Sequence, residues 1–163
     1  MSTIDVSFTP LTAHVRTARL VALAVARRAG VAEELLDELR LAVGEACSRA
    51  VGVHQHNGLD DPISMRLSDD RHQFTVEVLD HGALEDETDV DPSALDVLEV
   101  SSQALSDVSS YAMPAGFGLA VIIGLVEDCK VIGDGHGTRV QTSWAAGRSV
   151  CGGGATTQPQ VFG

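Results

Sequence analysis

The sequence predicts an α/β two-layer sandwich, a mostly antiparallel sheet with helices packed on one face. Three observations lead there. Two long runs near the N-terminus repeat apolar residues at three- and four-residue steps. Two pairs of short runs alternate apolar and polar residues. The order is two helices, a hairpin, a long polar stretch, a helix and a closing hairpin.

Each element follows from local signals. Thr3 to Phe8 alternates weakly and reads as a short edge strand. From Leu11, the apolar residues Val15, Leu20, Val21, Leu23 and Val25 interleave with Arg16, Arg19, Arg27 and Arg28. Gly30 stands where a helix-ending glycine belongs. A second helix is predicted from about Ala32 to Val51, where Leu35, Leu36, Leu39, Val43, Cys47 and Ala50 make a buried stripe. Gly52 to Pro62 is polar and reads as a loop. Ile63, Met65 and Leu67 alternate with polar residues, as do Phe74, Val76 and Val78, which predicts a hairpin across Asp69-Asp70. Ala83 to Ala115 is strongly acidic and reads as a long loop of the kind that serves as a lid. Gly116-Phe117-Gly118 then opens a helix over Leu119 to Leu125. Strands at Cys129–Ile132 and Thr138–Trp144, joined by a turn at Gly133 to Gly137, close the fold.

Length and charge narrow the function classes. The 163 residues suit one domain, expected over 1–146, followed by a Gly-rich tail at 147–163 predicted to be disordered. The net charge of -12 repels phosphate backbones and anionic lipid, which argues against direct nucleic-acid or membrane binding and favours basic proteins or small molecules. No segment approaches the roughly 20 apolar residues of a membrane span. The three cysteines, Cys47, Cys129 and Cys151, are sparse and lack metal-ligand spacing, as expected of reduced thiols in a cytoplasm. His54, His56, His81 and His136 are scattered over predicted loops without a spaced carboxylate or Cys partner, so no metal site is expected.

Four short segments carry a resemblance. Leu41-Ala42-Val43-Gly44-Glu45-Ala46-Cys47-Ser48-Arg49 resembles the N-box helix of the anti-sigma-factor serine kinases, within the Bergerat (GHKL) superfamily of histidine-kinase-like ATPases. Asp80-His81-Gly82 resembles that family's first glycine box, Gly116-Phe117-Gly118-Leu119 its second, and Gly137-Thr138 the strand that closes its site. The segments occur in family order, over about Thr12 to Trp144. The resemblance implies an ATP-binding fold in which Asp80 accepts hydrogen bonds from adenine and Gly82 lets backbone pass close to the flat base. Gly116 and Gly118 would offer backbone N–H groups to phosphate at a helix start. Thr138 would line the site, and Glu45 would act as general base on an attacking hydroxyl.

The sequence departs from the pattern at the metal. The asparagine that helps hold Mg²⁺ in the family is Arg49, and a permanent cation repels Mg²⁺. Arg49 lies one turn after Glu45. That spacing favours a pair between the two, the other reading being direct contact of Arg49 with phosphate. Leu84 replaces the second glycine of the first box, and no Lys or Arg occurs between Arg71 and Lys130. An acidic lid over a triphosphate weakens binding unless Mg²⁺ compensates. ATP and Mg²⁺ are therefore expected to bind weakly or not at all.

On the first helix, Arg16 and Arg19 lie three apart on one face, and the family uses an arginine there to hold its protein partner, Arg19 within Ala18-Arg19-Leu20 being the closer match. The expected function is a regulator that binds a sigma factor or an anti-sigma-factor antagonist. Relatives of this kind are often dimers. The alternative is an active kinase that phosphorylates a serine on the antagonist. A nucleotide sensor without transfer chemistry ranks third, since the chain carries no phospho-accepting helix pair.

Overall fold

The strands β1 (Ser2–Phe8), β2 (Ile63–Asp70), β3 (Gln73–Asp80), β4 (Asp128–Gly133) and β5 (Thr138–Ala145) form one open sheet in the order β1-β2-β3-β5-β4. Every neighbouring pair is antiparallel. This computed structural model describes residues 2–82, 122–133 and 135–147. Two helices, α1 (Thr12–Ala29) and α2 (Leu36–Asn57), pack on one face of the sheet. The expected two-layer sandwich is the fold observed.

Alternation sorts the two faces. Ile63, Met65 and Leu67 on β2, Phe74, Val76 and Val78 on β3, and Val140 and Trp144 on β5 point into the helical layer and are buried. Their neighbours Arg66, Glu77 and Arg139 lie on the other face, outside the buried core. The helices meet this layer with small residues on one side and larger ones on the other. α1 buries Ala18, Ala22, Ala26 and Ala29, which lets it lie close, while α2 buries Leu36, Leu39, Val43 and Cys47. α1 ends at Gly30, whose φ of 85° is the left-handed conformation a helix-stopping glycine adopts.

Two sequence expectations need correction. The second helix does not stop at Val51. It runs six residues further, to Asn57, and ends at Gly58 with φ 62°. Gly52 lies in its interior on the exposed side, where it weakens the helix without ending it. The buried stripe continues through Val53 and His54, and that burial keeps the last turns helical. His54 is therefore a core residue, not a loop histidine. The hairpin also turns later than expected. Asp70 pairs with Gln73, so the reversal is Arg71-His72, and the Arg71 amide donates to Asp70 Oδ1 at 2.7 Å.

Residues 122–125 are helical, with Ile122 and Val126 in the core. The expected acidic lid, the glycines Gly116 and Gly118 and the tail beyond Gly147 lie outside the described residues. The far end of β5 is tied to the junction between the helices: Trp144 Nε1 donates to Glu38 Oε1 at 2.8 Å, and the Gly147 amide donates to the Gly30 carbonyl at 3.3 Å. Among the described residues, no helix is long and apolar enough to cross a membrane.

Candidate functional site

The site sits where the C-terminal half of α2 crosses the end of β3 and the start of β5. Steps of four residues along a helix share a face, so Glu45, Arg49 and Val53 descend α2 in one line. Asp80 closes β3 and pairs in register with Thr138, which opens β5. Asp80, Arg49 and Thr138 are all buried.

Arg49 decides the geometry. Its Nη1 donates to Asp80 Oδ2 at 2.6 Å, with the two side chains only 2% and 1% exposed. Its Nη2 donates to Thr138 Oγ1 at 3.4 Å. The second carboxylate oxygen, Asp80 Oδ1, accepts from the Gly82 amide at 3.0 Å. The guanidinium thus reaches from α2 to both central strands. The favoured sequence reading paired Arg49 with Glu45. The structure gives it Asp80 instead, because Arg49 faces the sheet and a buried carboxylate lies ahead of it.

Two glycines let these elements approach. A Cβ on Gly82 would stand 1.9 Å from Val53 Cγ1, and a Cβ on Gly137 would stand 2.2 Å from the Asp80 carbonyl oxygen. The space at Gly82, expected to accommodate a base, is taken by a side chain of α2. One residue further, the His81 amide donates to His54 Nε2 at 3.0 Å, so that ring nitrogen is the unprotonated one. The rings of His54 and His81 lie 5.9 Å apart. The sequence does not single out Val53, names His54 only among scattered loop histidines, and names Gly137 only within the Gly137-Thr138 motif. The signal for the first two was the apolar spacing Ala46, Ala50, Val53, which carries the stripe past Gly52.

Glu45, one turn back, is only half-buried. Burial pushes its carboxyl above the ordinary glutamate value, and the nearby positive charge of Arg19 partly offsets that. Arg19 is half-buried too, with its Cδ 2.9 Å from where a Cβ on Gly44 would lie. The absence of a side chain at Gly44 gives Arg19 its place against α2. Of the two arginines expected to share a partner-facing surface, Arg16 is exposed and Arg19 leans onto α2.

The structure therefore brings Arg49, Asp80, Gly82 and Thr138 together, leaves Glu45 beside them and sets Arg16 apart. Gly116 and Gly118 lie outside the described residues. This arrangement does not fit a base read by Asp80. An adenine amino group would have to reach a carboxylate only 1% exposed, with Oδ2 already held by a guanidinium and Oδ1 by the Gly82 amide. Nor does it fit Mg²⁺, since a permanent cation stands at the metal-holding position of the helix. Among the described residues no group of His, Cys, Asp and Glu is arranged to hold a metal ion.

The fold has a solved counterpart. The crystal structure of the RsbU and RsbW domains of Rv1364c from Mycobacterium tuberculosis is similar over 90% of this chain and 33% of that one, with a TM-score of 0.59 and 13% identity. This chain thus spans about a third of that chain's length, and the likeness is one of fold. None of the curated proteins matches the sequence. The family model described as histidine kinase-like ATPase domain matches residues 8–144, and the chain belongs to that family.

Proposed function

We propose that this protein is a regulatory binding module of the anti-sigma-factor type, working with weak or no nucleotide. It captures a sigma factor or an anti-sigma-factor antagonist in the cytoplasm. One observation carries the reading: the carboxylate that would recognise adenine is held by Arg49 and by the Gly82 amide, inside the protein. Removing Arg49 from Asp80 exposes an uncompensated buried charge, which costs roughly 3–5 kcal/mol. A nucleotide that displaces Arg49 must make up that cost.

The partner surface on this reading is the outer side of α1, where Arg16 and a 59%-exposed Leu20 stand together at a four-residue step. Arginine is enriched among interface anchors, and the exposed Leu20 adds apolar surface beside it. The kinase alternative draws on Glu45, whose half-buried carboxyl with a raised pKa is suited to proton transfer.

Calorimetric titration of the full chain with ATP and Mg²⁺ tests the reading. The expected result is no saturable heat in the micromolar range. Micromolar, Mg²⁺-dependent binding refutes it and favours the kinase. Arg16→Ala is expected to weaken capture of the cognate protein in a pull-down while leaving the thermal melt unchanged.

A further inference from the structure

The two edges of the sheet are built differently. β4 carries Asp128 and an exposed Lys130 and ends on Gly133. β1 holds a single charge, Asp5, and pairs with β2 residue for residue from Ser2 to Phe8 without a bulge. Lysines, bulges and prolines are the devices by which sheets keep an edge from recruiting another strand. β1 has none of them, and its outer edge has no partner among the described residues.

The side chains along that edge are also incompletely covered. Ile4, Val6 and Phe8 are only partly buried, whereas their register partners Leu67, Met65 and Ile63 are fully buried. Beside them, between β1 and α1, runs a mainly apolar groove of about 370 Å³ lined by Val6, Phe8, His14, Thr17, Ala18 and Val21. The opposite side of the same strand faces a shallow hollow with three carboxylates, Asp5, Asp70 and Glu77, around one cation, Arg66, which donates to the exposed Asp5 at 2.7 Å.

We propose that β1 accepts an added strand from a partner protein: an extended segment apolar at alternate residues and basic at those between. Main-chain hydrogen bonds to the free edge would supply affinity, and the alternating side chains would supply specificity. The apolar residues enter the groove against Val6, Phe8 and Val21. The basic residues meet Asp5, the carboxylate on β1 itself, on the other side. Charge selects this occupant over a second copy of the chain, which would bring a net charge of -12 against another -12. The surface is separate from the Asp80 niche and stands whether or not nucleotide binds.

The test uses the full chain and three capped seven-residue peptides. One alternates lysine and valine, one has the same composition with its valines grouped, and one alternates glutamate and valine. Amide hydrogen exchange over Ser2–Phe8 is the readout. The alternating basic peptide is expected to slow exchange along β1 by about tenfold or more, and the other two are not. Thr17→Arg, at an exposed position lining the groove, should weaken binding about tenfold. Asp5→Lys should weaken the basic peptide and favour the acidic one; Thr17→Arg should melt as the parent does, and Asp5→Lys, which gives up only the exposed pair with Arg66, close to it. Equal effects from all three peptides, or protection that maps away from β1, overturn the proposal. Protection that grows with protein concentration alone also overturns it, in favour of a second copy. Protection already complete in the dilute free chain overturns it by showing that the chain covers its own edge.

Discussion

Glu45 and Arg49 occupy successive turns of α2 and meet opposite fates. Glu45 keeps contact with solvent, and its charge is eased by Arg19 on the neighbouring helix. Arg49 is enclosed, with its guanidinium bonded to Asp80 and Thr138. The contrast teaches that adjacent turns of one helix can carry an open carboxylate and a buried cation, because a buried carboxylate, Asp80, lies opposite only the second.

The largest effect should come from removing that cation. Arg49→Ala leaves Asp80 buried and unpaired, and the expected loss is about 3–5 kcal/mol. For a domain of this size that corresponds to a fall in melting temperature on the order of 10 °C, measurable by calorimetry. The double variant Arg49→Met with Asp80→Leu should lose much less than either single change, because both charges leave together. A double variant that loses the sum of the singles would show that the pair is not coupled.

The glycines come next. Gly82→Ala overpacks against Val53, and Gly137→Ala overpacks against the Asp80 backbone. Each should cost roughly 1–3 kcal/mol in denaturant unfolding. Val53→Ala should recover much of the loss at Gly82, where the obstacle is a side chain, and none at Gly137, where it is main chain. Equal rescue at both positions would mean that the niche can shift as a unit.

The open turn should respond to pH, and weakly. The folded protein holds the Glu45 proton more tightly than the unfolded chain does. The group therefore favours the fold below the ordinary glutamate pKa, and that contribution is lost as pH rises through the raised value. Relative to Glu45→Gln, the parent should lose stability as pH rises above the ordinary glutamate range. Solvent screening keeps the difference under about 1 kcal/mol. A constant difference as pH rises would remove desolvation as the cause. The smallest signal is chemical. Burial pushes the Cys47 thiol up to about 12, so it should stay unreactive toward a disulfide reagent at pH 8 until the chain unfolds.

Much of the fold was legible because its signals are periodic. The alternation of Ile63, Met65 and Leu67 against Phe74, Val76 and Val78 states a half-buried hairpin. The three- and four-residue steps of α2 state a buried helix face. What failed was punctuation. Gly52 looked like a stop, yet Val53 and His54 still had sheet to pack against, and tertiary burial overrode local propensity. Asp69-Asp70 looked like a turn, yet Asp69 still had Phe74 opposite it. At the site, the motif placed Asp80, Gly82 and Thr138 correctly near one another. It did not disclose the partner of Arg49. A spacing of four along one helix suggested Glu45, whereas the contact that formed spans 31 residues and depends on how α2 lies across β3.

The backbone around Asp80 is held by two glycine contacts and a strand register, and none of these involves the arginine. Arg49 ties α2 to both central strands, and Val53 fills the space beside Gly82 from the next turn of the same helix. A partner that tilts α2 would therefore strain both contacts at once, which makes the niche a mechanical reporter of whatever bends that helix.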